Sequence, residues 1–182
     1  MPTKERGKYA LTSTQIGVIG ENVVANALLL ASGGRLSPFY SIADDDGIDL
    51  LVYDKETGVA IPVQVKTRTK TLNKSGTTTP GSGVHFEVRE AALREFDYAH
   101  LVAVLLHEDM TEIRRSWLIP MPVLRGVARV AKDKFVIRPN AERSSLDKFT
   151  PFRCNSPANL SERLIKTAEQ LAAMSSKKKS SS

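Results

Sequence analysis

Hydrophobic residues near the start of the chain recur at three- and four-residue steps, which is the spacing of one face of a helix. The stripe that we expect to face a core consists of Ile16, Ile19, Val23, Ala27 and Leu30. Thr12 and Gln15 have the spacing of a capping box, and the two glycines at 33–34 provide a stop. The pattern predicts a helix over 14–31, with Glu21 just off the apolar stripe.

Three strands are predicted to follow this helix as a meander. They occupy residues 36–42, 48–53 and 59–67. An acidic turn at 44–47 separates the first two strands, and the turn Asp54–Gly58 joins the second and third as a hairpin.

A crossover connection is predicted next. Residues 68–83 are polar and predict a long loop, and residues 86–96 favour a second helix, with a strand as the alternative at its start. The apolar run 100–107 is typical of a buried central strand. A strand, a helix and a strand in this order would make strands 59–67 and 100–107 parallel, with a right-handed connection.

The C-terminal part adds smaller elements. We expect a strand at 112–119, a short helix at 120–129, a short strand at 134–138 and a closing amphipathic helix from residue 159 or 161 to residue 174. The element order as a whole predicts an α/β fold with a mixed central sheet flanked by helices and a C-terminal helical addition.

Composition bounds the class of protein. The 182 residues suit one domain, which we place at 12–174 between a flexible N-terminus at 1–11 and a disordered basic, serine-rich tail at 175–182. The mean hydropathy is −0.21, and we see no apolar run near the roughly 18 residues of a membrane span, so no membrane partner is expected. The single cysteine, Cys154, excludes an internal disulfide and a cysteine zinc cage, which favours the cytoplasm.

The positive charge is unevenly distributed. The net charge is +6, and no acidic residue occurs between Thr57 and Phe86. The basic residues within that stretch are Lys66, Arg68, Lys70 and Lys74. Two interpretations of the loop that carries Arg68, Lys70 and Lys74 stay open: contact with a nucleic-acid backbone, or a solvated linker.

Three polar residues converge on one end of the predicted hairpin. Gln64 and Lys66 share one face of the third strand because side chains alternate, and Asp49 lies on the neighbouring strand. An acid, an amide and an amine would then lie side by side on an apolar sheet. The alternative is the solvated face of an edge strand. It fits the pair less well, because strands flank this one on both sides and buried charges need partners.

This arrangement resembles the PD-(D/E)XK nuclease superfamily, which includes restriction endonucleases and Holliday junction resolvases. The superfamily has a helical acid, an Asp, a hairpin and a (Glu/Gln)-x-Lys motif. Here Asp46-Gly47-Ile48-Asp49 and Val63-Gln64-Val65-Lys66 are similar to a bacterial branch with a Q-x-K variant. The resemblance covers about residues 14–119 and implies a restriction-endonuclease-like αβββαβ core.

The resemblance also implies a catalytic set. Asp49, the Gln64 side-chain oxygen and the Val65 carbonyl would bind Mg²⁺ or Mn²⁺, and Glu21 would support that metal. Lys66 would assist the attack on the phosphate and stabilise the developing negative charge. The implied function is metal-dependent hydrolysis of DNA phosphodiester bonds.

Gln64 departs from the commoner Glu and brings a dipole where Glu would bring a charge. Two alternatives therefore stay open beside the nuclease. One is a non-catalytic nucleic-acid-binding or partner-binding protein on the same fold, and the other is a small structural module in which Glu21, Asp49 and Lys66 do not converge. The expected substrate is duplex or branched DNA. A homodimer would suit its two strands, with the helix near 161–174 as the dimer surface or, more simply, packed within the chain.

Overall fold

The computed structural model describes residues 10–41, 47–73, 81–90 and 98–179. The helices in this part are α1 (Ser13–Ala31), α2 (Met121–Val127) and α3 (Pro157–Lys179), with a 3-10 turn at Thr150–Phe152. The strands are β1 (Leu36–Tyr40), β2 (Leu50–Asp54), β3 (Val59–Arg68), β4 (Phe86–Arg89), β5 (His100–Leu106), β6 (Ile113–Pro120), β7 (Arg129–Ala131), β8 (Lys134–Ile137) and β9 (Arg153–Cys154).

A six-stranded mixed sheet forms the centre of the fold, in the order β1-β2-β3-β5-β6-β9. The predicted parallel pairing of β3 with β5 is confirmed, and its register aligns Val63 with His100 and Arg68 with Leu105. The predicted hairpin between β2 and β3 is also confirmed, because Gly58 donates its N–H to Asp54 O at 2.9 Å and adopts a positive φ of 72°.

A second, three-stranded sheet in the order β4-β8-β7 was not predicted. It corrects the expectation of a helix beginning at Phe86 and confirms the alternative of a strand at that start, because Phe86–Arg89 is a strand that pairs with Lys134–Ile137. Residues 91–96, which belong to that expected helix, lie outside the described part. A four-residue strand whose partner lies almost fifty residues downstream leaves little local signal in the sequence.

Two apolar clusters lie on opposite faces of the central sheet. The cluster under α1 and α3 includes Val63 and Val65 of β3, and the cluster under the second sheet includes Phe86 and Trp117. The Phe86 and Trp117 rings meet edge to face at 6.0 Å. The central sheet is therefore covered on both faces, with helices on one side and a small sheet on the other.

Helix α1 begins with the predicted capping box, in which the Thr12 side chain accepts from Gln15 N and the Gln15 side chain accepts from Thr12 N. The predicted apolar stripe is confirmed in part, because Ile19 and Val23 are partly buried and pack against the core, but Leu30 is 80% exposed. The fully buried positions are Gly20, Val24, Ala25 and Leu28. The helix is rotated because its close contact with the sheet is made at Gly20.

Helix α1 also corrects the expectation that no segment is long and apolar enough to span a membrane. Its 19 residues reach a mean hydropathy of 1.3 over an 18-residue window, which meets that test by length and composition. In this fold α1 packs on the central sheet, and a core helix meets the same test.

Helix α3 corrects the predicted disorder of the tail as far as Lys179, because it continues five residues beyond Met174. The hydroxyl groups of Ser175 and Ser176 donate to the carbonyls of Leu171 and Ala172, each at 3.0 Å. Lysines near a helix C-terminus also interact favourably with the helix dipole. Residues 1–9 and 180–182 lie outside the described part.

Candidate active site

The Asp49 carboxylate is held against the middle of β3. The backbone N–H of Asp49 donates to Val63 O at 3.0 Å, although Val63 is already the partner of Leu50 in the ladder. This one-residue shift resembles a bulge and ends the regular pairing of β2 with β3. The Val65 N–H donates to Asp49 Oδ2 at 2.5 Å. The Val65 N–H, which lies between Gln64 and Lys66, therefore donates to a carboxylate where a regular ladder would offer a backbone carbonyl.

The Val65 carbonyl is turned toward the same edge of β3. In a strand the N–H and C=O of one residue point to the same neighbouring strand. Since the Val65 N–H is directed at Asp49, the Val65 carbonyl also faces the side of β2. It lies beyond Leu50, where the regular ladder has ended. Two oxygen groups, the Asp49 carboxylate and the Val65 carbonyl, are thus directed to one end of the sheet.

Gln64 and Lys66 share the face that lies under the second sheet. They pair with Leu101 and Ala103 of β5, which belong to the apolar cluster on that face. Lys66 is half-buried. Gln64 is 3% exposed, and its Oε1 atom has no hydrogen-bond partner among the described residues. Leaving a buried acceptor unpaired costs about 1–3 kcal/mol, so this oxygen is an unusual feature of the fold.

Glu21 lies on the other side of the sheet, near the start of β2. Its neighbour Gly20 contacts Thr67 of β3, and its neighbour Asn22 accepts a hydrogen bond from the Tyr40 hydroxyl of β1 at 2.8 Å. Because β2 lies between β1 and β3, Glu21 is placed over the end of β2 that carries Asp49.

An electrostatic effect agrees with this position. Burial raises the pKa of Tyr40 above its usual value, and the nearby negative charge of Glu21 raises it further. Glu21 therefore approaches from the α1 side, whereas Gln64 and Lys66 point to the opposite face, and Asp49 lies between them at the strand edge. The four predicted residues surround one end of the β2–β3 pair without sharing one face of the sheet.

These groups fit a hard divalent cation, which prefers oxygen ligands. The buried Oε1 atom of Gln64 has no donor in the described part of the chain, and the Asp49 carboxylate and the Val65 carbonyl supply two more oxygen groups nearby. Within the described residues no cluster of three or more His, Cys, Asp or Glu side chains forms a metal site. Asp44, Asp45 and Asp46 lie outside the described part.

The predicted nucleic-acid contacts differ in position. The Arg68 guanidinium lies over the Phe86 ring, 5.9 Å from its centroid, and donates to Thr67 O at 2.8 Å. Loss of hydration there lowers the pKa of Arg68, and the charge of Glu87 opposes that shift. Lys70 is exposed on the loop that follows β3. Lys74 lies outside the described residues.

Two residues near this site were missed by sequence reasoning. Thr67 faces α1, and its buried Oγ1 atom has no hydrogen-bond partner among the described residues. Tyr40 connects β1 to α1 through Asn22. The only sequence signal for the Thr67 contact was Gly20, a glycine inside a predicted helix, which indicates close packing against a neighbouring element.

No protein-family model and no curated protein matches this chain. The solved structures that resemble it include two nucleases. The bacterial homing endonuclease I-Ssp6803I is 19% identical, with a TM-score of 0.57, over 90% of this chain and 99% of that chain. Hjc, a Holliday junction resolvase from Archaeoglobus fulgidus, is 10% identical, with a TM-score of 0.42, over 74% of this chain and 96% of that chain. The homing endonuclease comparison shows that this chain shares the fold of that protein, in agreement with the restriction-endonuclease-like core that the sequence predicted.

Proposed function

We propose that the protein is a metal-dependent DNA endonuclease that hydrolyses phosphodiester bonds. One observation carries the proposal: the Asp49 carboxylate is fixed on the Val65 N–H, between a half-buried lysine and a buried glutamine whose Oε1 atom has no partner among the described residues. The nuclease fold gives this combination a chemical meaning. An acid, an oxygen acceptor and a cation at one strand end match the needs of phosphodiester hydrolysis.

The oxygen groups of this strand end would hold the metal. Asp49 would be the main ligand, the Gln64 Oε1 atom and the Val65 carbonyl would add neutral oxygen atoms, and Glu21 would support the site from α1. When bound, Mg²⁺ or Mn²⁺ polarises the phosphate and lowers the pKa of water. The bond between Asp49 and the Val65 N–H fixes the carboxylate before any ligand arrives, which lowers the cost of ordering it.

Lys66 would act on the phosphate directly. Its ammonium group is a compact cation on a flexible stem, and it leaves the same strand face as Gln64. A positioned cation stabilises the negative charge that grows on the phosphate oxygens during attack, and losing such a group typically slows an enzyme about 10²- to 10³-fold. Lys66 therefore orients the attacking water and stabilises the transition state.

The second candidate function is DNA binding without cleavage, and Gln64 is the observation that favours it. A glutamine brings no charge, so Asp49 and Glu21 must supply all the negative charge that balances the metal. Metal affinity is then lower, with a preference for Mn²⁺ over Mg²⁺. A protein that lost this affinity completely would keep the basic surface and bind DNA without cutting it.

A cleavage assay separates the two functions. The protein is incubated with supercoiled plasmid and with branched DNA in Mg²⁺, Mn²⁺ or EDTA, and its binding to the same DNA is measured in EDTA. We expect nicking in Mn²⁺, slower nicking in Mg²⁺ and none in EDTA. Tight binding without nicking in either metal would refute the nuclease and support the second candidate.

A further inference from the structure

A cavity of about 280 Å³ lies on the second sheet, apart from the proposed metal site. Three of its five lining residues are cations, Arg129, Arg138 and Lys148, and the other two are Val136 and Phe149. No described carboxylate lines it. Val136 and Arg138 alternate with Phe135 and Ile137, which belong to the apolar core, so the cavity opens on the outer face of β8.

The loop that closes this cavity is rigidly folded. The Asp147 carboxylate accepts the N–H groups of Asn140 and Phe149 at 2.8 and 2.9 Å, and the Asp147 N–H donates to Thr150 Oγ1 at 2.8 Å. The one acid next to Lys148 is therefore engaged with its own loop. Lys148 and Phe149 are held in place, and the Lys148 ammonium lies 5.4 Å from the centroid of the Phe149 ring.

Two buried arginines stabilise the same loop through hydrogen bonds to its carbonyl oxygens. Arg153 is 6% exposed and donates to the carbonyl oxygens of Arg143 and Ser145 at 3.0 and 2.9 Å. Arg115 is 7% exposed and donates to Ala141 O at 3.2 Å. Both arginines are bonded to carbonyl oxygens at these contacts, so they hold the backbone of the loop in place, and the Glu142 carboxylate lies near Arg115.

Arg138 also keeps its charge. Its Nε–H donates to His85 Nδ1 at 3.0 Å, which leaves the proton of that imidazole on Nε2 for a hydrogen bond to Glu87 at 3.0 Å. Glu87 also accepts from the Lys134 ammonium at 2.8 Å. The carboxylate nearest to Arg138 is thus engaged by other groups, and Arg138 meets a neutral nitrogen.

The segment that joins Arg138 to Lys148 contacts the described residues at the end of the loop after β3. Leu72 and Gly83 exchange backbone hydrogen bonds at 2.7 and 3.1 Å, and Ala141 donates its N–H to Ser82 O at 2.8 Å. The described residues at the end of the loop after β3, Ser82 and Gly83, therefore contact the segment that joins Arg138 to Lys148. Since β4 and β7 are two strand spacings apart, the far side of the cavity lies about 10 Å from β4.

We propose that this cavity binds a phosphate group of the DNA backbone, a few nucleotides from the bond that is cut. The inference rests on the proposed function. The volume of the cavity is near the low end for ligand pockets, so the cavity suits a phosphate with its sugar. The guanidinium groups of Arg129 and Arg138 match phosphate geometry. Val136 and Phe149 offer an apolar surface to the deoxyribose. Such a contact fixes the position of the duplex and adds affinity that does not depend on base sequence.

The test compares two double variants that each remove two exposed cations. The cavity variant, Arg129→Ala with Lys148→Ala, removes two positive charges from the lining of the cavity. The control variant, Lys55→Ala with Lys166→Ala, removes two exposed positive charges elsewhere on the protein. Binding of labelled duplex DNA is measured in EDTA over a series of KCl concentrations. We expect the cavity variant to bind about tenfold more weakly and to lower the salt slope by about 0.9, which is the contribution of one phosphate contact. The control variant should keep the wild-type slope.

The outcomes separate this inference from the proposed function. A cavity variant with the wild-type salt slope would overturn the inference of a phosphate contact, but it would not affect the proposed nuclease function. Equal losses in the two double variants would also overturn it, because they would reflect net charge alone. A wild-type protein that binds DNA but never cuts it, with the slope change confined to the cavity variant, would refute the nuclease and support the phosphate contact.

Discussion

Gln64 sets the charge of the proposed metal site, because it stands where a carboxylate would add a full negative charge. We predict that Gln64→Glu binds Mn²⁺ at least about tenfold more tightly, since ligand charge tunes the affinity of such sites. Calorimetric titration with Mn²⁺ in the absence of DNA measures this change. Gln170→Glu, on an exposed face of α3, is the charge-matched control.

The Gln64→Glu variant should also differ from the wild type in how strongly Mn²⁺ raises its melting temperature. Without metal, the introduced carboxyl is buried, so it stays protonated or destabilises the fold. Mn²⁺ should therefore raise the melting temperature of Gln64→Glu more than that of the wild type. Equal Mn²⁺ affinity and equal thermal shifts in the Gln64 and Gln170 variants would place the metal elsewhere.

At the residue scale, sequence alternation was sufficient for one part of the site. It correctly placed Gln64 and Lys66 on one face of β3 and Asp49 at the neighbouring strand. It could not show the shift in register at Asp49, because a bulge depends on hydrogen bonds between two strands and not on either strand alone. It also could not show that Glu21 approaches from the opposite face, since that depends on which side of the sheet α1 covers.

The packing of α1 on β3 depends on a glycine. A Cβ atom at Gly20 would overlap the Thr67 side chain, whereas a Cβ atom at Gly17 meets nothing within 4 Å. We predict that Gly20→Ala lowers the free energy of unfolding by about 1–3 kcal/mol through overpacking. Gly17→Ala, the matched control in the same helix, should raise it by about 1 kcal/mol through better helix propensity.

Urea unfolding of the two glycine variants checks this prediction. Adding Thr67→Ala to Gly20→Ala should recover part of the loss, because it removes the hydroxyl and methyl groups that the new Cβ would meet. Stabilisation by Gly20→Ala of the same size as that by Gly17→Ala would mean that α1 does not pack on β3 as described.

At the element scale, the sequence predicted most helices and strands but not their partners. The capping box of α1 and the hairpin before β3 are local signals, and both were predicted correctly. The second sheet is different, because β4 finds β8 far downstream and both are only four residues long. The apolar stripe on α1 was right at Ile19 and Val23 and wrong at Leu30 for a related reason. A nonpolar helix offers several faces, and the contact at Gly20 selects one of them.

A charged network ties the hairpin of β2 and β3 to the C-terminal helix. Arg35 binds Asp54 at 2.7 Å, Glu56 at 2.8 Å and Glu169 of α3 at 3.0 Å. The hydrogen bonds from Arg35 lower the pKa of Asp54 from 3.8 to about 2, although burial opposes that shift. Since the folded-state pKa is the lower one, the stabilisation is present above pH 4 and is lost as the pH falls toward 2.

We therefore predict that Asp54→Asn lowers the free energy of unfolding by about 1–3 kcal/mol at neutral pH, because hydrogen bonds to a charged group are lost. The variant should also lose less stability than the wild type between pH 4 and pH 2. Chemical unfolding at several pH values measures both effects, with Asp133→Asn at an exposed turn as the control. Identical acid profiles of wild type and Asp54→Asn would contradict the role of this ion pair.

At the scale of the whole molecule, the net charge of +6 predicted an anionic partner but not a surface. The fold brings the loop after β3 beside the cavity of Arg129, Arg138 and Lys148, which are far apart in sequence. Only the second sheet and the loop fixed by Asp147 place these cations together. Charge composition therefore suggested a class of partner, and tertiary structure was needed to locate the cavity that we propose as its contact.

The cleavage of supercoiled plasmid in Mn²⁺ by the wild type and by two site variants tests the central claim most directly. We predict that Asp49→Ala abolishes nicking and that Lys66→Ala slows it about 10²- to 10³-fold, because one loses the main metal ligand and the other loses a positioned cation. The matched variants Glu112→Ala and Lys55→Ala, at exposed positions, should cut at the wild-type rate. Nicking at the wild-type rate by Asp49→Ala or by Lys66→Ala would show that this strand end is not the active site.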